Sequence, residues 1–365
     1  MQIAGDYRSK RMQKKIVHVV GTGTIGEPLI GLLANFRERF GIDEVTFHKR
    51  TALLTDRSKV NVLSQNGARL CVDRKHWSAF KQMGMEPSFE SNEAIDRASV
   101  VIDCTPAGNE NKQERYNRYA NNGRGFIAQG SEFGFGKMYA RGINDTALDR
   151  EKDRFIQVVS CNTHNLAALI DTIALGPEKE NNLREARFVC MRRADDISQE
   201  GNFIPAPEVD RHDDARFGTH QGRDAHFVFK TLGLDLDIFS SALKINSQYM
   251  HTIFFGLALR RGVTLDEVMR RLRANPRIAL TNKKSSASVF SFGRDHGHFG
   301  RILNQTVIVT QSLAMKGDRE VVGMCFTPQD GNSLLSSTAA ALWYLEPESY
   351  EQSLKLLQPY LFHEI

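Results

Sequence analysis

The feature that most constrains the fold is a glycine-rich segment between an apolar run and an amphipathic one. Residues 16–20, IVHVV, predict a buried strand, and Gly21-Thr22-Gly23-Thr24-Ile25-Gly26 follows without a break. In a βαβ unit, such a GxGxxG segment makes a tight turn, lets backbone approach a pyrophosphate and places that anion at a helix N-terminus. We therefore expect a dinucleotide site here, with a glycine turn that binds no ligand as the alternative.

The rest of the chain predicts two domains of different texture. Short apolar runs alternate with polar, helix-compatible segments, as in a parallel sheet of βαβ units, and these runs lie in residues 43–50, 98–108, 124–132 and 154–161. After residue 165, longer strand-like segments take over. The expected fold class is α/β, with an N-terminal Rossmann dinucleotide-binding domain and an α+β catalytic domain that has a mixed or antiparallel sheet. We assign residues 1–160 and the C-terminal helices at 331–365 to the first domain, and residues 161–330 to the second.

Two segments of the second domain carry more specific expectations. The sequence TLDEVMRRLRANP predicts a helix with Thr264 as its N-cap and Pro276 just beyond its end. The sequence SFGRDHGHFGR, residues 291–301, contains two histidines and three glycines and is expected to be a surface loop.

The composition is that of a folded protein with a mild basic excess. The 365 residues are 41% hydrophobic, and 48 basic against 43 acidic side chains give a net charge of +5. Such an excess suits small anionic ligands, and we expect no nucleic-acid partner. No stretch approaches the roughly 20 consecutive apolar residues of a membrane helix. The basic N-terminus lacks the apolar segment of a secretory leader.

The cysteines bear on metal binding and on location. They form an odd set without a CxxC pair, at positions 71, 104, 161, 190 and 325. Such a set favours neither a disulfide framework nor a zinc site, so we expect no metal. A reducing, cytoplasmic setting fits best.

The end of the second strand bears on the choice of cofactor. An NAD-preferring site usually has an acidic residue there, which binds the ribose 2′-hydroxyl. This chain has His48-Lys49-Arg50 instead. Because Lys49 and Arg50 would attract a 2′-phosphate, the sequence favours NADP and leaves NAD possible. A solvated basic turn is the alternative.

A cysteine stands where a strand hands over to a helix. In FIQVVSCNTHNLAALI, residues 155–170, the apolar run stops at Ser160-Cys161-Asn162-Thr163. A cysteine at a helix N-terminus has a thiolate favoured by the helix dipole. Such a thiolate can attack an aldehyde in a dinucleotide-dependent enzyme, leaving a thioester for an acceptor to cleave. Cys161 is therefore a candidate nucleophile with a lowered pKa, and a packing cysteine is the alternative.

The segment VVSCNTHNL resembles the active-site segment of archaeal-type (class II) glyceraldehyde-3-phosphate dehydrogenases, which contains Ser-Cys-Asn/Thr-Thr. The glycine segment VGTGTIGEP is similar to that family's VGYGTIGKR, with Thr22 and Glu27 in place of an aromatic residue and a cation. Further segments resemble family motifs in the same order along the chain: DCTPAG (103–108), IAQGSEF (127–133), MRRADDI (191–197), THQGRD (219–224) and INSQYMH (245–251).

The resemblance implies a role for each matching residue. Cys161 would be the nucleophile, Asn162 would help to hold the oxyanion, and His251 would be the base. Substrate and phosphate binding would fall to Ser160, Thr163, Arg192, Arg193 and His220. Cofactor binding would fall to Gly21, Gly23, Thr24, Ile25, Gly26, Lys49, Arg50, Thr105, Pro106, Gln129, Gly130 and Asn332. The implied ligands are glyceraldehyde 3-phosphate, inorganic phosphate and NADP or NAD, and the implied assembly is a homotetramer.

Departures from the family pattern leave alternatives open. Thr219-His220 replaces paired histidines, Arg223 replaces a proline, and Asn246, Ser247 and Gln248 precede the segment that ends in His251. The first expectation is a phosphorylating glyceraldehyde-3-phosphate dehydrogenase that makes 1,3-bisphosphoglycerate. A second is a reductase or dehydrogenase of another acyl phosphate or semialdehyde with the same Cys/His chemistry. A third is a non-catalytic dinucleotide-binding or RNA-binding homologue.

Overall fold

The computed structural model describes residues 14–120, 122–130, 132–196, 201, 203–328 and 330–365. Most of the basic N-terminal segment lies outside the described residues. Among the residues that are described, no helix is both long enough and apolar enough to cross a membrane.

The first domain is built on a sheet of eight strands, every adjacent pair of which is parallel. The strands are β1 (Ile16–Val20), β2 (Glu44–His48), β3 (Arg69–Val72), β4 (Phe89–Glu90), β5 (Val100–Asp103), β6 (Gly125–Gln129), β7 (Lys137–Tyr139) and β8 (Phe155–Val158). Their order is β4-β3-β2-β1-β5-β6-β8-β7. The order reverses on either side of β1, and in such sheets ligands bind beyond the carboxyl ends of the strands at that point. The predicted Rossmann fold is confirmed.

The second domain is built on a mixed sheet, which confirms the other half of the fold prediction. Its strands are β9 (Leu183–Arg192), β10 (Glu208–Val209), β11 (Ile238–Lys244), β12 (His251–Leu259), β13 (Ile278–Thr281), β14 (Thr306–Val309), β15 (Ala314–Lys316) and β16 (Glu320–Thr327). The order is β10-β11-β9-β12-β16-β14-β13, and β15 pairs with β16. Two pairs are parallel, β11 with β9 and β13 with β14, and the other pairs are antiparallel.

The helices cover these sheets and connect them. They are α1 (Gly26–Asn35), α2 (Arg57–Gln65), α3 (Trp77–Gln82), α4 (Ser91–Arg97), α5 (Gly108–Glu114), α6 (Cys161–Leu169), α7 (His220–Lys230), α8 (Leu265–Ala274), α9 (Ser286–His296), α10 (Gly331–Leu345) and α11 (Tyr350–Leu354). Thr264 caps α8 as predicted, since its hydroxyl accepts a hydrogen bond from the Glu267 backbone N–H at 3.2 Å.

The end of the chain completes the first domain's core. Leu334 and Ala339 of α10 belong to the same buried cluster as Val17 and Val19 of β1. A second cluster, which includes Phe188 of β9, lies between α6 and the mixed sheet. Helix α6 therefore begins at the edge of one sheet and packs against the other, which places its first residues between the two domains.

The prediction of a surface loop at residues 291–301 is wrong. Helix α9 continues through His296, so half of the segment is helical. Beyond it, Phe299 has a left-handed backbone with φ of 49° and covers Gly31 of α1, where a side-chain carbon would overlap its ring. The reason is packing that sequence periodicity does not reveal. Because Gly31 has no side chain, the ring of Phe299 from the second domain can pack directly against α1.

Candidate active site

The glycine loop, residues 21–26, has the geometry that a dinucleotide requires. Gly21 has φ of 96°, which favours glycine and makes the turn after β1 possible. A side-chain carbon at Gly26 would overlap the Gly21 carbonyl, so only glycine allows α1 to start so close to the strand. At Gly23, in contrast, such a carbon would meet nothing within 4 Å. The open space over Gly23, at the N-terminus of α1, fits a pyrophosphate.

The basic tip of β2 contains an acid that the sequence analysis overlooked. Lys49 Nζ lies 2.5 Å from Asp56 Oδ2, and Lys59 Nζ lies 3.0 Å from Asp56 Oδ1. Burial raises the pKa of Asp56, but hydrogen bonds from Lys49 and Lys59 outweigh it and the net pKa is lowered, so the carboxyl is ionised. Arg50, the residue after Lys49, is exposed. Two lysines therefore bind one carboxylate just beyond the end of β2.

The ends of β5 and β6 carry the other predicted cofactor residues. Thr105 Oγ1 donates a 2.6 Å hydrogen bond to Asp103, which fixes the turn that Pro106 continues, and the Thr105 methyl group faces Gly21. Gln129 is buried and hydrogen-bonds to Ser337 of α10, and its Oε1 has no hydrogen-bond partner within the described part of the chain. Gly130 has φ of 74° and open space at its Cα. Both strand ends therefore converge on the glycine loop's side of the sheet.

Cys161 is the first residue of α6, as predicted. Ser160 is the N-cap, and its Oγ accepts a hydrogen bond from the Thr163 backbone N–H at 3.3 Å and lies 2.9 Å from Thr163 Oγ1. Ser160 and Thr163 therefore hold the turn that presents Cys161. Cys161 is half-buried, whereas Cys71, Cys190 and Cys325 are fully buried.

Two networks fix the residues around Cys161. Asn332 of α10 donates a 2.9 Å hydrogen bond to the Cys161 carbonyl and a 3.3 Å bond to that of Gln305. Thr327 at the end of β16 donates to Asn162 Oδ1 at 3.0 Å while accepting from Asn165 at 2.9 Å. Because Oδ1 of Asn162 faces the Thr327 hydroxyl, the NH2 group of the Asn162 amide points away from Thr327. The N–H groups of Asn332 already bind backbone, and its role in cofactor binding stays a prediction.

The thiol of Cys161 does not have the lowered pKa that its place on the helix suggested. Burial, and after it the nearby carboxylate of Asp330, raise the pKa of Cys161 to about 12. The guanidinium of Arg193 and the backbone N–H of Asn162 oppose these effects. In this state, Cys161 is a protonated thiol at neutral pH.

His251 begins β12 and lies beside the end of β9. Its Nδ1 accepts a hydrogen bond of 3.0 Å from the backbone N–H of Arg193. Burial, with Arg193 and Arg192 adding like charge, lowers the pKa of His251 to about 3. The imidazole is therefore neutral, and because Nδ1 is an acceptor, the ring proton is on Nε2. His251 is paired in register with Thr327, the residue that orients Asn162.

The two adjacent arginines point into different surroundings. Arg193 is buried, with Nη2 at 2.6 Å from Asp196 and at 3.8 Å from Asp330. Arg192 is half-buried and lies 2.6 Å from Asp210. Only Arg193 lies close enough to Cys161 to shift the pKa of its thiol.

The predicted phosphate ligand His220 belongs with Arg192 rather than with Arg193. It begins α7 and is half-buried. Burial, and then the charges of Arg192 and Arg223, lower the pKa of His220. The structure therefore separates the two arginines: Arg193 acts on Cys161, whereas Arg192 acts on His220.

Comparison with known proteins decides the relationship. The glyceraldehyde-3-phosphate dehydrogenase of Metallosphaera sedula is 26% identical over 265 residues, which cover 69% of this chain and 72% of that protein. That of Pyrobaculum islandicum is 24% identical over 321 residues, covering 83% and 84%. Glyceraldehyde-3-phosphate dehydrogenase 1 of Methanosarcina barkeri is 27% identical over 325 residues, covering 85% and 86%. This chain is similar to the archaeal glyceraldehyde-3-phosphate dehydrogenases over most of its length. No model of a protein family matches it.

The relationship confirms the resemblance that the motifs indicated, while the site residues remain predictions. The structure brings Cys161, Asn162 and Arg193 together, and it holds His251 on the Arg193 backbone. A further carboxylate beside this group, which the sequence did not indicate, is Asp330. It is buried, has φ of 57°, and leaves Oδ2 without a hydrogen-bond partner among the described residues.

Sequence reasoning missed Asp330, Thr327 and Asp56 for different reasons. Asp330 and Thr327 flank the junction between β16 and α10, and the sequence TPQDGN carries the turn signal Asp-Gly, which indicated a junction but no role. Asp56 lies seven residues beyond Lys49, in a turn before α2 that the strand-tip comparison did not reach. An acid at the N-cap of the helix that follows a basic strand end is the signal that could have found it.

Proposed function

We propose that this chain is a phosphorylating glyceraldehyde-3-phosphate dehydrogenase that uses NADP or NAD. The observation that carries the proposal is the position of Cys161. It is the first residue of a helix that leaves the carboxyl edge of the Rossmann sheet, half-buried between the two domains and beside Arg193. A thiol there lies within reach of both a dinucleotide on the first domain and an anionic substrate held by the second.

In the proposed reaction, the Cys161 thiol adds across the aldehyde group of glyceraldehyde 3-phosphate: the sulfur bonds to the carbon and the thiol proton passes to the oxygen, which gives a thiohemiacetal. The backbone N–H of Cys161 and the Asn162 amide stabilise the oxygen on which negative charge develops. The hydroxyl proton leaves to a base, the role that the resemblance assigns to His251. The nicotinamide supplies the acceptor for the hydride when the cofactor is bound. Inorganic phosphate then cleaves the Cys161 thioester and releases 1,3-bisphosphoglycerate.

The tautomer of His251 supports a different contribution to the same reaction. A ring that accepts from Arg193 at Nδ1 and has a pKa of about 3 is a weak base but a good donor through Nε2–H. Donation to the substrate oxygen would help to stabilise its charge. We keep the base role as the prediction from resemblance and the donor role as the one that the geometry favours.

Substrate phosphate and inorganic phosphate each need cations, and two groups are available. Arg193 stands beside Cys161, and Arg192 stands with His220 on the other side of the strand end. Guanidinium groups suit phosphate because they donate two parallel hydrogen bonds. Both arginines hold carboxylates in this state, so phosphate binding would displace Asp196 or Asp330 from Arg193, or Asp210 from Arg192.

We propose that the cofactor is preferentially NADP. The support is the group formed by Lys49 and Lys59, which both bind Asp56 beyond the end of β2, together with the exposed Arg50 next to Lys49 in the chain. Its net charge is positive even with Asp56 ionised, which favours a 2′-phosphate over a bare hydroxyl. The fit of the pyrophosphate is supported separately by the open space over Gly23.

We also propose a homotetramer in a reducing, cytoplasmic setting. Phe254 of β12 is 38% exposed and lies in register with Val189 and Met324, which makes an apolar patch on the outer face of the mixed sheet. All five cysteines are free. Light scattering after size-exclusion chromatography tests the assembly, and a Phe254→Glu variant should shift it to a smaller species. An unchanged mass in that variant would remove this patch as the interface.

The deciding experiment follows the reduced nicotinamide by absorbance with glyceraldehyde 3-phosphate as substrate. NADP is compared with NAD, with and without phosphate or arsenate, and Cys161→Ser is the control. Phosphate-dependent reduction that disappears in Cys161→Ser supports the proposal. Cofactor binding without turnover would instead favour another acyl phosphate or semialdehyde as substrate. If no such aldehyde is turned over and Cys161→Ser behaves like the unmodified protein, the non-catalytic binding protein is favoured.

A further inference from the structure

An arginine from the second domain contacts the glycine loop of the first. Arg301 Nη2 lies 3.4 Å from the backbone carbonyl of Thr24, the fourth residue of the loop. Its Nη1 donates a 2.6 Å hydrogen bond to the carbonyl of Phe299. The guanidinium therefore lies at the loop over which the pyrophosphate is expected. Arg301 is nevertheless far from this loop in the sequence, 277 residues beyond Thr24.

Packing, not chance, sets the position of Arg301. Phe299 covers Gly31 of α1 so closely that any side chain at position 31 would overlap its ring. His298 is buried, with its ring centroid 5.7 Å from that of Phe36 just beyond α1. The backbone of His298 also pairs with that of Arg301 in a short bridge. Residues 298–301 are thus fastened to the helix that begins at the glycine loop.

The charge of Arg301 is only partly compensated. Its Nε is buried without a hydrogen-bond partner among the described residues. The two carboxylates that act on its charge, Asp330 and Glu27, are themselves bound elsewhere. Glu27 Oε2 lies 3.7 Å from Lys59, and Asp330 Oδ1 lies 3.8 Å from Arg193. A half-buried guanidinium with an unused donor favours an anionic ligand.

The residue after the third glycine explains why a cation is needed from elsewhere. The loop reads VGTGTIGEP, and Glu27 stands where the resembling family has a lysine in VGYGTIGKR. A carboxylate at that place opposes an anion at the start of α1. Lys59, which lies 3.4 Å from the Thr22 carbonyl, offsets it on one side of the loop, and Arg301 stands on the other.

We propose that Arg301 is a cofactor ligand that binds the pyrophosphate of the dinucleotide from the second domain, in place of the positive charge that Glu27 removes from the loop. The proposal rests on the dinucleotide of the proposed function but not on its aldehyde substrate. In this proposal, residues 298–301 of the second domain contribute a phosphate-binding side chain to the cofactor site of the first domain.

The experiment measures binding rather than turnover. Equilibrium affinities of the full chain for NADP, ADP-ribose and adenosine 2′-phosphate are compared, because the last lacks a pyrophosphate. Arg301→Gln should weaken NADP and ADP-ribose roughly 10- to 100-fold, the usual effect of a charged hydrogen bond. Adenosine 2′-phosphate should bind as before. Arg294→Gln, which removes an exposed arginine paired with Asp295 on the same segment, is the matched control and should change none of the three.

A rescue guards against misinterpreting damage to the fold. Glu27→Lys placed on the Arg301→Gln background should restore most of the lost affinity, because it returns the cation to the loop. Equal affinities of Arg301→Gln and Arg294→Gln for ADP-ribose would overturn the proposal, as would a failure of Glu27→Lys to restore binding in a folded double variant. Tight, Arg301-dependent binding without aldehyde oxidation would sink the proposed substrate and leave this inference standing.

Discussion

The backbone N–H of Arg193 donates a 3.0 Å hydrogen bond to Nδ1 of His251. A backbone N–H can only donate a hydrogen bond, so Nδ1 of His251 must be the acceptor and carries no proton. The neutral imidazole therefore has its proton on Nε2. The bond also joins the strand end that carries the arginine pair to the strand that begins with His251. Whatever moves Arg193 therefore changes the orientation of His251 as well.

Replacement of His251 distinguishes a donor from a base. If the ring acts through Nε2–H, His251→Gln retains a donor of similar reach and should keep at least ten times the kcat of His251→Leu. If it acts as a base, both variants should lose roughly 10²- to 10⁴-fold, the usual contribution of general base catalysis. The kcat of the unmodified protein against pH adds a second readout. An ionisation near pH 6.5 that disappears in His251→Gln would contradict the donor role.

Two charges near Cys161 should move its reactivity in opposite directions. Asp330 raises the pKa of the thiol and Arg193 lowers it. Asp330→Asn should therefore speed alkylation by iodoacetamide at about pH 8 several-fold, and Arg193→Gln should slow it. Mass spectrometry of the labelled peptides gives the rate at each cysteine, with half-buried Cys104 as the internal reference. A Cys161 rate that is already maximal at neutral pH would show that its pKa is not raised.

The cations at the tip of β2 should control the choice between NADP and NAD. Lys49→Gln should weaken NADP roughly tenfold with little effect on NAD, since only NADP has a 2′-phosphate. Asp56→Asn should do the reverse and favour NADP, because it frees Lys49 and Lys59 from a carboxylate. Lys75→Gln, an exposed site in the same domain, is the control. Equal losses for both cofactors in Lys49→Gln would place the 2′-phosphate elsewhere.

Two glycines of the loop should respond differently to alanine. Gly26→Ala would force a methyl group into the Gly21 carbonyl, so the free energy of unfolding should fall by about 1–3 kcal/mol without any ligand. Gly23→Ala meets open space, so stability should hold while cofactor affinity falls. Thermal melts with and without NADP measure both. A stable Gly23→Ala that binds NADP normally would argue against a pyrophosphate over that glycine.

Buried neutral histidines should make the protein sensitive to acid. Burial lowers the pKa of His18 to about 3 and that of His164 to about 4. The unfolded chain takes up these protons near pH 6.5, whereas the folded one does not. Stability is therefore complete above pH 6.5 and is lost on acidification toward pH 4, by up to about 1.4 kcal/mol per pH unit for each histidine. Denaturant unfolding at several pH values measures this slope, and His18→Asn should reduce it.

The fold was largely predictable because its signals are local. The GxGxxG segment, the alternation of short strands and helices, and the Thr264 cap each depend on a few consecutive residues. Cys161 could be found for the same reason, since a strand end and a helix start meet there. Together, these local signals predict most of the Rossmann half from the sequence alone.

The partners of the site were not predictable because they depend on distance in space. Asp330 and Arg193 are far apart in sequence, and only the antiparallel register of β12 with β9 and β16 brings their strand ends together. The prediction of a lowered pKa for Cys161 was wrong for the same reason. The helix N-terminus is visible in the sequence, whereas the burial and the carboxylate that outweigh it are not. Residues 291–301 contain three glycines, which favour a loop, whereas Gly31, the glycine that receives Phe299, lies far away in the sequence.

The placement of α10 bears on how the chain acquires its structure during synthesis. Gln129 at the end of β6 hydrogen-bonds to Ser337, 208 residues later, and Leu334 fills the core around β1. The ribosome releases the N-terminal strands long before α10 is synthesised. Until then, the apolar face of the Rossmann sheet that α10 covers is exposed. Such a delay makes the first half of the chain a natural client for chaperones. A fragment that ends after β8 should be prone to aggregation, even though it contains the whole glycine loop.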